Sequence, residues 1–353
     1  MLFNIDSDNG ARIEGWIMPD NPSVTPSVLI VVAGETVGTI KAHVLRPLLR
    51  EQGLHDTGVC GFVVDAKNCP RAIGANDVEI FDVDTNVRIY RRRPETADID
   101  AKLFRLEGQL LRNAALNESL EPHFHMSFTR LDAFPEETAK SILGIAFSPS
   151  IYVTGRVYYR VFEPLLRDRG FKSSTYLREP TEELAEQLLL VQWAATRPQA
   201  GLKGVLQESF LGLVAAIEPD TMATMGSVEQ WLIGLSPRAR LTLTDPMTRL
   251  LTCMSPDDRA PPQALAEALD TLGEFAAVGF RSDMDTFAAH LEAGLDLDFP
   301  SMEVMPPARR VTDLAAQLDK LDVVNQLLST DRELYATARQ AFSVALEDSR
   351  TRP

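Results

Sequence analysis

Side chains able to bind an anionic ligand are concentrated in one short stretch of the chain. Phe171–Leu177 is a predicted strand, and Arg178 follows its last residue. Ligands of α/β proteins bind at the carboxyl ends of parallel strands, which makes Arg178 a candidate ligand-binding residue. Arg156, Tyr158 and Tyr159 open the preceding predicted helix and are expected to face the same crevice. Helix packing is the alternative interpretation for the two tyrosines.

Lys102, His123 and His125 are weaker candidates for a role in chemistry. The run His123-Phe-His125 alternates as a strand would, which places both imidazoles on one side. A metal site needs a third ligand, and Glu121 is the only near candidate in sequence. We therefore predict surface or core histidines and no metal site.

The pattern of strands and helices divides the chain into two parts. Short β-branched segments fill residues 1–90 and predict a β-sandwich-like module, with one helix over Ile40–Gln52. The run RRRPETAD interrupts this pattern and predicts a linker over residues 91–98. A 3.6-residue period then predicts a helix-rich α/β domain over residues 99–353, beginning with a helix at Lys102–Asn117.

Within the second part, strands and helices alternate over residues 145–193. Strand, helix, strand and helix at these lengths form βαβ units, which predict a parallel sheet. Two amphipathic segments, Val311–Leu328 and Glu333–Leu346, predict helices that close the chain. The predicted fold class is thus α/β, with a β-rich N-terminal module.

Charge and composition exclude several classes of protein. The chain has 35 basic and 50 acidic residues, a net charge of −15, which disfavours nucleic acid as a partner. Its three cysteines form no CxxC pair and are expected to be buried thiols in a reducing compartment. The first residues lack a secretion signal, and no apolar stretch approaches the ~18 residues of a membrane span. We expect a cytoplasmic protein with no membrane span; its oligomeric state is left open.

A resemblance to the sulfotransferases that modify polysaccharides is carried by four motifs in order. The strand-to-helix junction of that family, which grips the 3′-phosphate of the donor PAPS, is similar to FKSSTYLREPTEELAEQL at residues 171–188. Its other helices and strands resemble residues 154–166, 276–295 and 331–342. The likeness covers about residues 100–345. It implies a P-loop-type fold and, in an active member, a transferase with PAPS as donor.

A second resemblance covers the first 90 residues. The segments GWIMP, VLIVVAGETVGTIKAHVLRPLL and GVCGFVV look like a small β-rich module that is often fused to bacterial glycosyltransferases. The two resemblances together imply a role in the biology of bacterial polysaccharides.

The chain departs from the sulfotransferase pattern where the donor would bind. Glu183 stands where the family has its second Arg, and Glu186 stands where it has a Ser. Two carboxylates therefore replace a cation and a hydroxyl beside the expected phosphate. The phosphate loop should lie within Lys102–Leu111, where Lys102 and Gly108 are present at the wrong spacing and no hydroxyl pair follows. These departures argue against PAPS as a cofactor.

These features favour a sulfotransferase-like protein whose PAPS site does not function. It would act by glycan binding or by transfer from a different donor. The alternative is a non-catalytic scaffold or regulatory module that meets a protein partner through its acidic surface and C-terminal helices. Whether any catalysis survives is not decided by the sequence.

Overall fold

The computed structural model describes residues 1–93, 98–197, 208–295 and 307–351. The chain forms two compact units. The first comprises Met1–Lys102, Leu120–Phe128 and Phe134–Tyr152, and the second comprises Leu103–Ser119, Thr129–Ala133 and Val153–Pro353. Residues 94–97 of the predicted linker lie outside the described residues.

The N-terminal part consists of two antiparallel four-stranded sheets, as the β-sandwich-like prediction required. The strand orders are β1-β2-β6-β5 and β4-β3-β7-β8. Alternate residues are buried in β3 and β7, which is the pattern of a sheet with one face on a core, whereas five consecutive residues of β6 are buried. The elements are β1 (Leu2–Asp8), β2 (Arg12–Met18), β3 (Ser27–Val32), β4 (Glu35–Lys41), β5 (Val44–Leu45), α1 (Pro47–Glu51), β6 (Val59–Asp65), β7 (Val78–Asp82) and β8 (Arg88–Arg92).

The helix predicted over Ile40–Gln52 is wrong for most of its length. Ile40 lies in strand β4 and Val44 begins strand β5, so only the short α1 is helical. Pro47 explains the late start, because proline fits the first turn of a helix but removes a hydrogen bond from its interior.

A five-stranded parallel sheet forms the centre of the α/β part, in the order β10-β11-β9-β12-β13. Strands β12 and β13 pair in parallel, with Leu177 opposite Phe280. In chain order, the elements of residues 102–196 are β9 (Lys102–Leu106), α2 (Ala114–Leu120), β10 (Met126–Phe128), α3 (Glu136–Leu143), β11 (Ile151–Gly155), α4 (Tyr159–Asp168), β12 (Phe171–Leu177) and α5 (Pro180–Thr196). The predicted α/β class with a parallel sheet is confirmed.

The helix predicted at Lys102–Asn117 is wrong, because this stretch begins with the middle strand of the sheet. Strand β9 is buried on both of its faces, because Leu103 and its neighbour Phe104 are both buried, as is Leu106. A strand buried on both faces shows no two-residue alternation, so its sequence resembles a buried helix segment. The predicted place of the phosphate loop, Lys102–Leu111, is therefore strand β9 and part of the loop that leads to helix α2.

Helices dominate the remainder of the chain. Helix α5 packs with α6, α7, α8, α12 and α13 around one hydrophobic core that includes Leu184, Phe210 and Leu318. Among the described residues, no helix combines the length and apolarity that a membrane crossing requires. The remaining elements are α6 (Glu208–Ala216), α7 (Met225–Gly234), α8 (Pro237–Leu243), α9 (Pro246–Thr252), α10 (Ala264–Gly273), β13 (Ala277–Phe280), α11 (Met284–Leu295), α12 (Arg309–Leu318), α13 (Asp322–Leu327) and α14 (Ser329–Thr351).

Candidate functional site

A charged residue directly follows each of four neighbouring strands of the parallel sheet. Arg156 follows β11, Glu107 follows β9, Arg178 follows β12 and Arg281 follows β13. The strands run parallel, so their carboxyl ends share one edge of the sheet, where α/β proteins bind ligands. This edge is the candidate site.

Arg178 is buried and already paired with carboxylates of helix α5. Its side chain is 2% exposed, and its Nη1 donates to Glu186 Oε2 and, over 3.3 Å, to Glu183 Oε2. Its Nε lies 3.7 Å from the Glu182 carboxylate. Burial lowers the pKa of Arg178, but these carboxylates outweigh burial and raise it above its ordinary value. The guanidinium is therefore a fully charged group whose charge is balanced inside the protein.

Glu183 connects Arg178 to the loop that follows the middle strand. Its Oε1 accepts the backbone N–H of Leu110 at 2.9 Å and Nε2 of Gln187 at 2.9 Å. Pro180 opens helix α5 at the end of β12, which turns Glu183 towards this loop from the first turns of the helix. A carboxylate thus occupies the space between a loop N–H and Arg178.

Arg281 and Arg156 extend the network on either side. Arg281 Nη1 donates to Gln109 Oε1 at 2.9 Å and lies 3.9 Å from Glu186 Oε2. Arg156 is buried, with its guanidinium 5.6 Å from the centre of the Phe210 ring. Burial lowers the pKa of Arg156, and the charge of Glu183 acts against this change.

Glu107 lies at the same edge of the sheet and is fully buried. Its Oε1 accepts from Arg105 Nη2 at 2.7 Å and from the Thr154 hydroxyl at 3.1 Å. Arg105 and Glu107 are both fully buried. The pair therefore stabilises the edge from within and is not positioned to meet a ligand from solvent.

The space left at the carboxyl edge is too small for a nucleotide. A cavity of about 10 Å³ lies among Gln109, Leu177, Arg178, Glu183 and Asp331. This volume is about that of one water molecule, whereas small-molecule sites measure hundreds of Å³. The protein's own side chains fill the crevice.

No protein-family model matches this chain, and no curated protein matches it significantly in sequence. What the site can bind therefore follows from its own side chains. Arg178 and Arg281 lie within 4 Å of carboxylates of helix α5, and Glu107 is paired with Arg105.

The two candidate tyrosines lie in different surroundings. Tyr158 precedes helix α4 and lines a cavity of about 10 Å³ with Arg156 and Arg249. Burial raises the pKa of Tyr158. Tyr159 packs on Phe275, with ring centres 4.9 Å apart, and its hydroxyl lies 3.2 Å from that of Ser173. Only Tyr158 thus lies beside an arginine of the site, and Tyr159 takes part in helix-to-sheet packing.

Lys102, His123 and His125 belong to the first unit. Lys102 begins β9 and donates to the carbonyl of Ile145 at 2.9 Å, so it lies at the amino end of its strand. The strand predicted for the two histidines is wrong, because His123 ends a 3₁₀ turn and β10 begins only at Met126.

His125 is held by neighbours on both ring nitrogens. Its Nε2 lies 2.8 Å from the carbonyl of Arg91, and its Nδ1 lies 3.3 Å from the Asp98 carboxylate. Burial lowers its pKa. Across the described ranges, no group of three or more His, Cys, Asp or Glu side chains could hold a metal ion.

Glu107, Gln109 and Arg281 were missed by the reasoning from sequence. A local signal exists, since each lies within three residues of the end of a buried strand. For Glu107 and Gln109 that signal was hidden, because β9 was predicted as a helix. Arg281 directly follows the last residue of β13, which is the same local signal that marked Arg178.

Proposed function

We propose that this chain is a sulfotransferase-like protein of bacterial polysaccharide biology that binds a glycan and does not use PAPS. The observation that carries the proposal is the position of Glu183, whose carboxylate receives both the Leu110 N–H and Arg178. These are the kinds of donors that hold a phosphate in nucleotide-binding folds. A built-in carboxylate takes the place of that phosphate.

Electrostatics supports the loss of donor binding. Arg178 is paired with Glu183 and Glu186, and Arg281 lies 3.9 Å from Glu186, so much of the positive charge of the edge is already balanced. Each negative charge of a phosphate ~5 Å from the Glu183 carboxylate would be repelled by about 3 kcal/mol at an effective dielectric of about 20. That energy corresponds to a more than hundredfold weaker affinity. A different nucleotide donor would meet the same filled space.

The scaffold alternative has less support from the first of the two C-terminal segments that suggested it, residues 311–328. The apolar face of α12, with Val311, Ala315 and Leu318, is buried in the same hydrophobic core as α5. Val324 and Leu327 of α13 are buried there too. These faces stabilise the protein's own fold and are not available to pair with another chain.

A thermal-unfolding screen tests the proposal. PAP, PAPS, neutral oligosaccharides and acidic oligosaccharides are each added to the purified full chain. A ligand at about a hundred times its Kd raises the unfolding free energy by ~2.7 kcal/mol. We expect a shift with at least one oligosaccharide and none with PAP or PAPS at micromolar concentration.

The opposite pattern would overturn the proposal. Micromolar binding of PAP by the unmodified protein would contradict the loss of donor binding and favour an enzyme that uses PAPS. If no saccharide shifts the thermal unfolding of the protein, the proposed glycan role is wrong.

A further inference from the structure

An open groove of about 700 Å³ lies in the second unit, apart from the filled crevice. Its walls come from helix α8, from residues 259–265 and from the start of helix α14. Its volume falls within the range of small-molecule sites. Residues that matter for its chemistry are Arg240, Thr244, Arg259, Thr330 and Glu333.

The charged residues that line this groove include more cations than anions. They are Arg240, Arg249, Arg259, Asp245 and Glu333. Among the described residues, neither Arg240 nor Arg259 forms an ion pair, whereas Arg238, two residues before Arg240 on the same helix, pairs with Asp257 and is 82% exposed. The groove is therefore a locally positive site in a protein with an excess of 15 negative charges, which favours an anionic ligand.

Hydrogen bonds of Arg249, a buried residue in the lining of the groove, fix the shape of its wall. Arg249 donates through Nε to the carbonyl of Asp258 at 3.0 Å and through Nη2 to that of Pro256 at 2.7 Å. Its Nη1 donates to the carbonyl of Leu241 on helix α8. These bonds join the turn at residues 256–258 to α8. A preformed wall needs little reorganisation when a ligand binds.

The other lining groups suit sugar hydroxyls. Thr244 donates its hydroxyl hydrogen to the carbonyl of Arg240 at 2.9 Å, which leaves its oxygen as an acceptor. The exposed Glu333 carboxylate and Thr330 can also accept or share hydrogen bonds. No aromatic ring lines the groove among the described residues, so a neutral sugar would lack a stacking surface.

We propose that this groove binds an acidic saccharide, whose carboxylate or sulfate group is held by Arg240 and Arg259. The inference rests on the proposed glycan role and deepens it by naming the site and the charge of the ligand. Selection between sugars then depends on charge-assisted hydrogen bonds, which are about twice as strong as neutral ones. A neutral sugar of equal length would gain only the hydroxyl contacts.

Calorimetry on the full chain tests the site with three probes: trigalacturonate, a sulfated chondroitin disaccharide and neutral maltotriose. We expect at least one acidic probe to bind and maltotriose to bind at least about tenfold more weakly. The variants Arg240→Gln and Arg259→Gln should each weaken acidic-probe binding about tenfold or more. Arg238→Gln removes the same charge from the same helix outside the groove and should leave affinity unchanged.

The outcomes separate this inference from the proposed function. If an acidic probe binds and both groove variants bind it as the unmodified protein does, the groove assignment is wrong while glycan binding stands. If maltotriose alone binds, the acidic class is wrong. If none of the probes binds, this inference fails, and the broader saccharide screen decides the proposed function. Unchanged thermal unfolding of each variant shows that a lost affinity is not a lost fold.

Discussion

Asp331 and Asp245 each cap the N-terminus of a helix through a side-chain carboxylate: Asp331 caps α9, and Asp245 caps α14. Asp331, in the first turn of α14, accepts the N–H groups of Met247 at 2.9 Å and Thr248 at 2.7 Å at the start of α9. Asp245 precedes α9 and accepts the N–H groups of Thr330 at 2.8 Å and Asp331 at 3.0 Å. Each carboxylate therefore satisfies donors that the other helix leaves open at its N-terminus.

This exchange predicts a stability that depends on pH. Burial and then the charge of Asp245 raise the pKa of Asp331 to about 7. Between roughly pH 4 and pH 7 the folded protein keeps this proton while the unfolded chain releases it, so rising pH favours unfolding. The contribution is fully present below about pH 4 and is lost as pH rises through 7.

The variant Asp331→Asn isolates this contribution, because asparagine keeps an acceptor oxygen and does not titrate. We expect the stability of the unmodified protein to fall relative to the variant by roughly 2–3 kcal/mol between about pH 5 and pH 8. Urea unfolding of both proteins at each pH measures the difference. If the difference in unfolding free energy between the two proteins stays constant with pH, Asp331 is ionised in the folded protein throughout this range.

Removing Glu186 should leave a buried charge with fewer partners. In Glu186→Ala, buried Arg178 loses a direct hydrogen-bond partner but keeps Glu183 at 3.3 Å, and we expect a loss of about 1–3 kcal/mol in unfolding free energy. Glu182→Ala is the matched control on the same helix, since Glu182 is 29% exposed and lies 3.7 Å from Arg178. Its loss should stay below about 1 kcal/mol. Equal losses in both variants, measured by urea unfolding, would contradict the buried network.

Leu177 should tolerate truncation poorly. It is 3% exposed and ends strand β12, opposite Phe280 of β13. Leu177→Ala is expected to reduce the unfolding free energy by ~2–5 kcal/mol through lost burial and a remaining cavity. Leu211→Ala, at a side chain that is 56% exposed, should change it by about 0.5 kcal/mol or less. A loss below ~1 kcal/mol at Leu177 would mean that the strand is not packed as described.

Gly279 should not accept even one additional carbon. A Cβ built there would lie 2.4 Å from Cβ of Phe287, a buried ring of α11. Gly279→Ala therefore forces β13 and α11 apart, and overpacking of this kind destabilises by about 1–3 kcal/mol. Gly294→Ala is the control, because its Cβ would meet nothing within 4 Å and alanine favours helix α11. Thermal unfolding that ranks the two variants in the opposite order would rule out this close approach.

Local signals were sufficient to predict the segment around Arg178 from the sequence. Residues 171–177 form β12 as predicted, and Arg178 follows its last residue. Gly170, with φ of 71°, lies directly before this strand, and Pro180 opens α5 after it. Both act within a few residues, because glycine permits a positive φ and proline fits the first turn of a helix.

The partners of those residues were decided by the tertiary structure. Leu110 donates to Glu183 across 73 positions, and Thr330 donates to Asp245 across 85. No periodicity in one chain encodes such pairs, because they depend on which strands become neighbours in the sheet and on how the helices pack. The sequence by itself determined an acidic α/β chain with an arginine at the end of a strand. Only the fold decided that this arginine would be neutralised by the protein's own carboxylates, since burial makes an unpaired charge unfavourable.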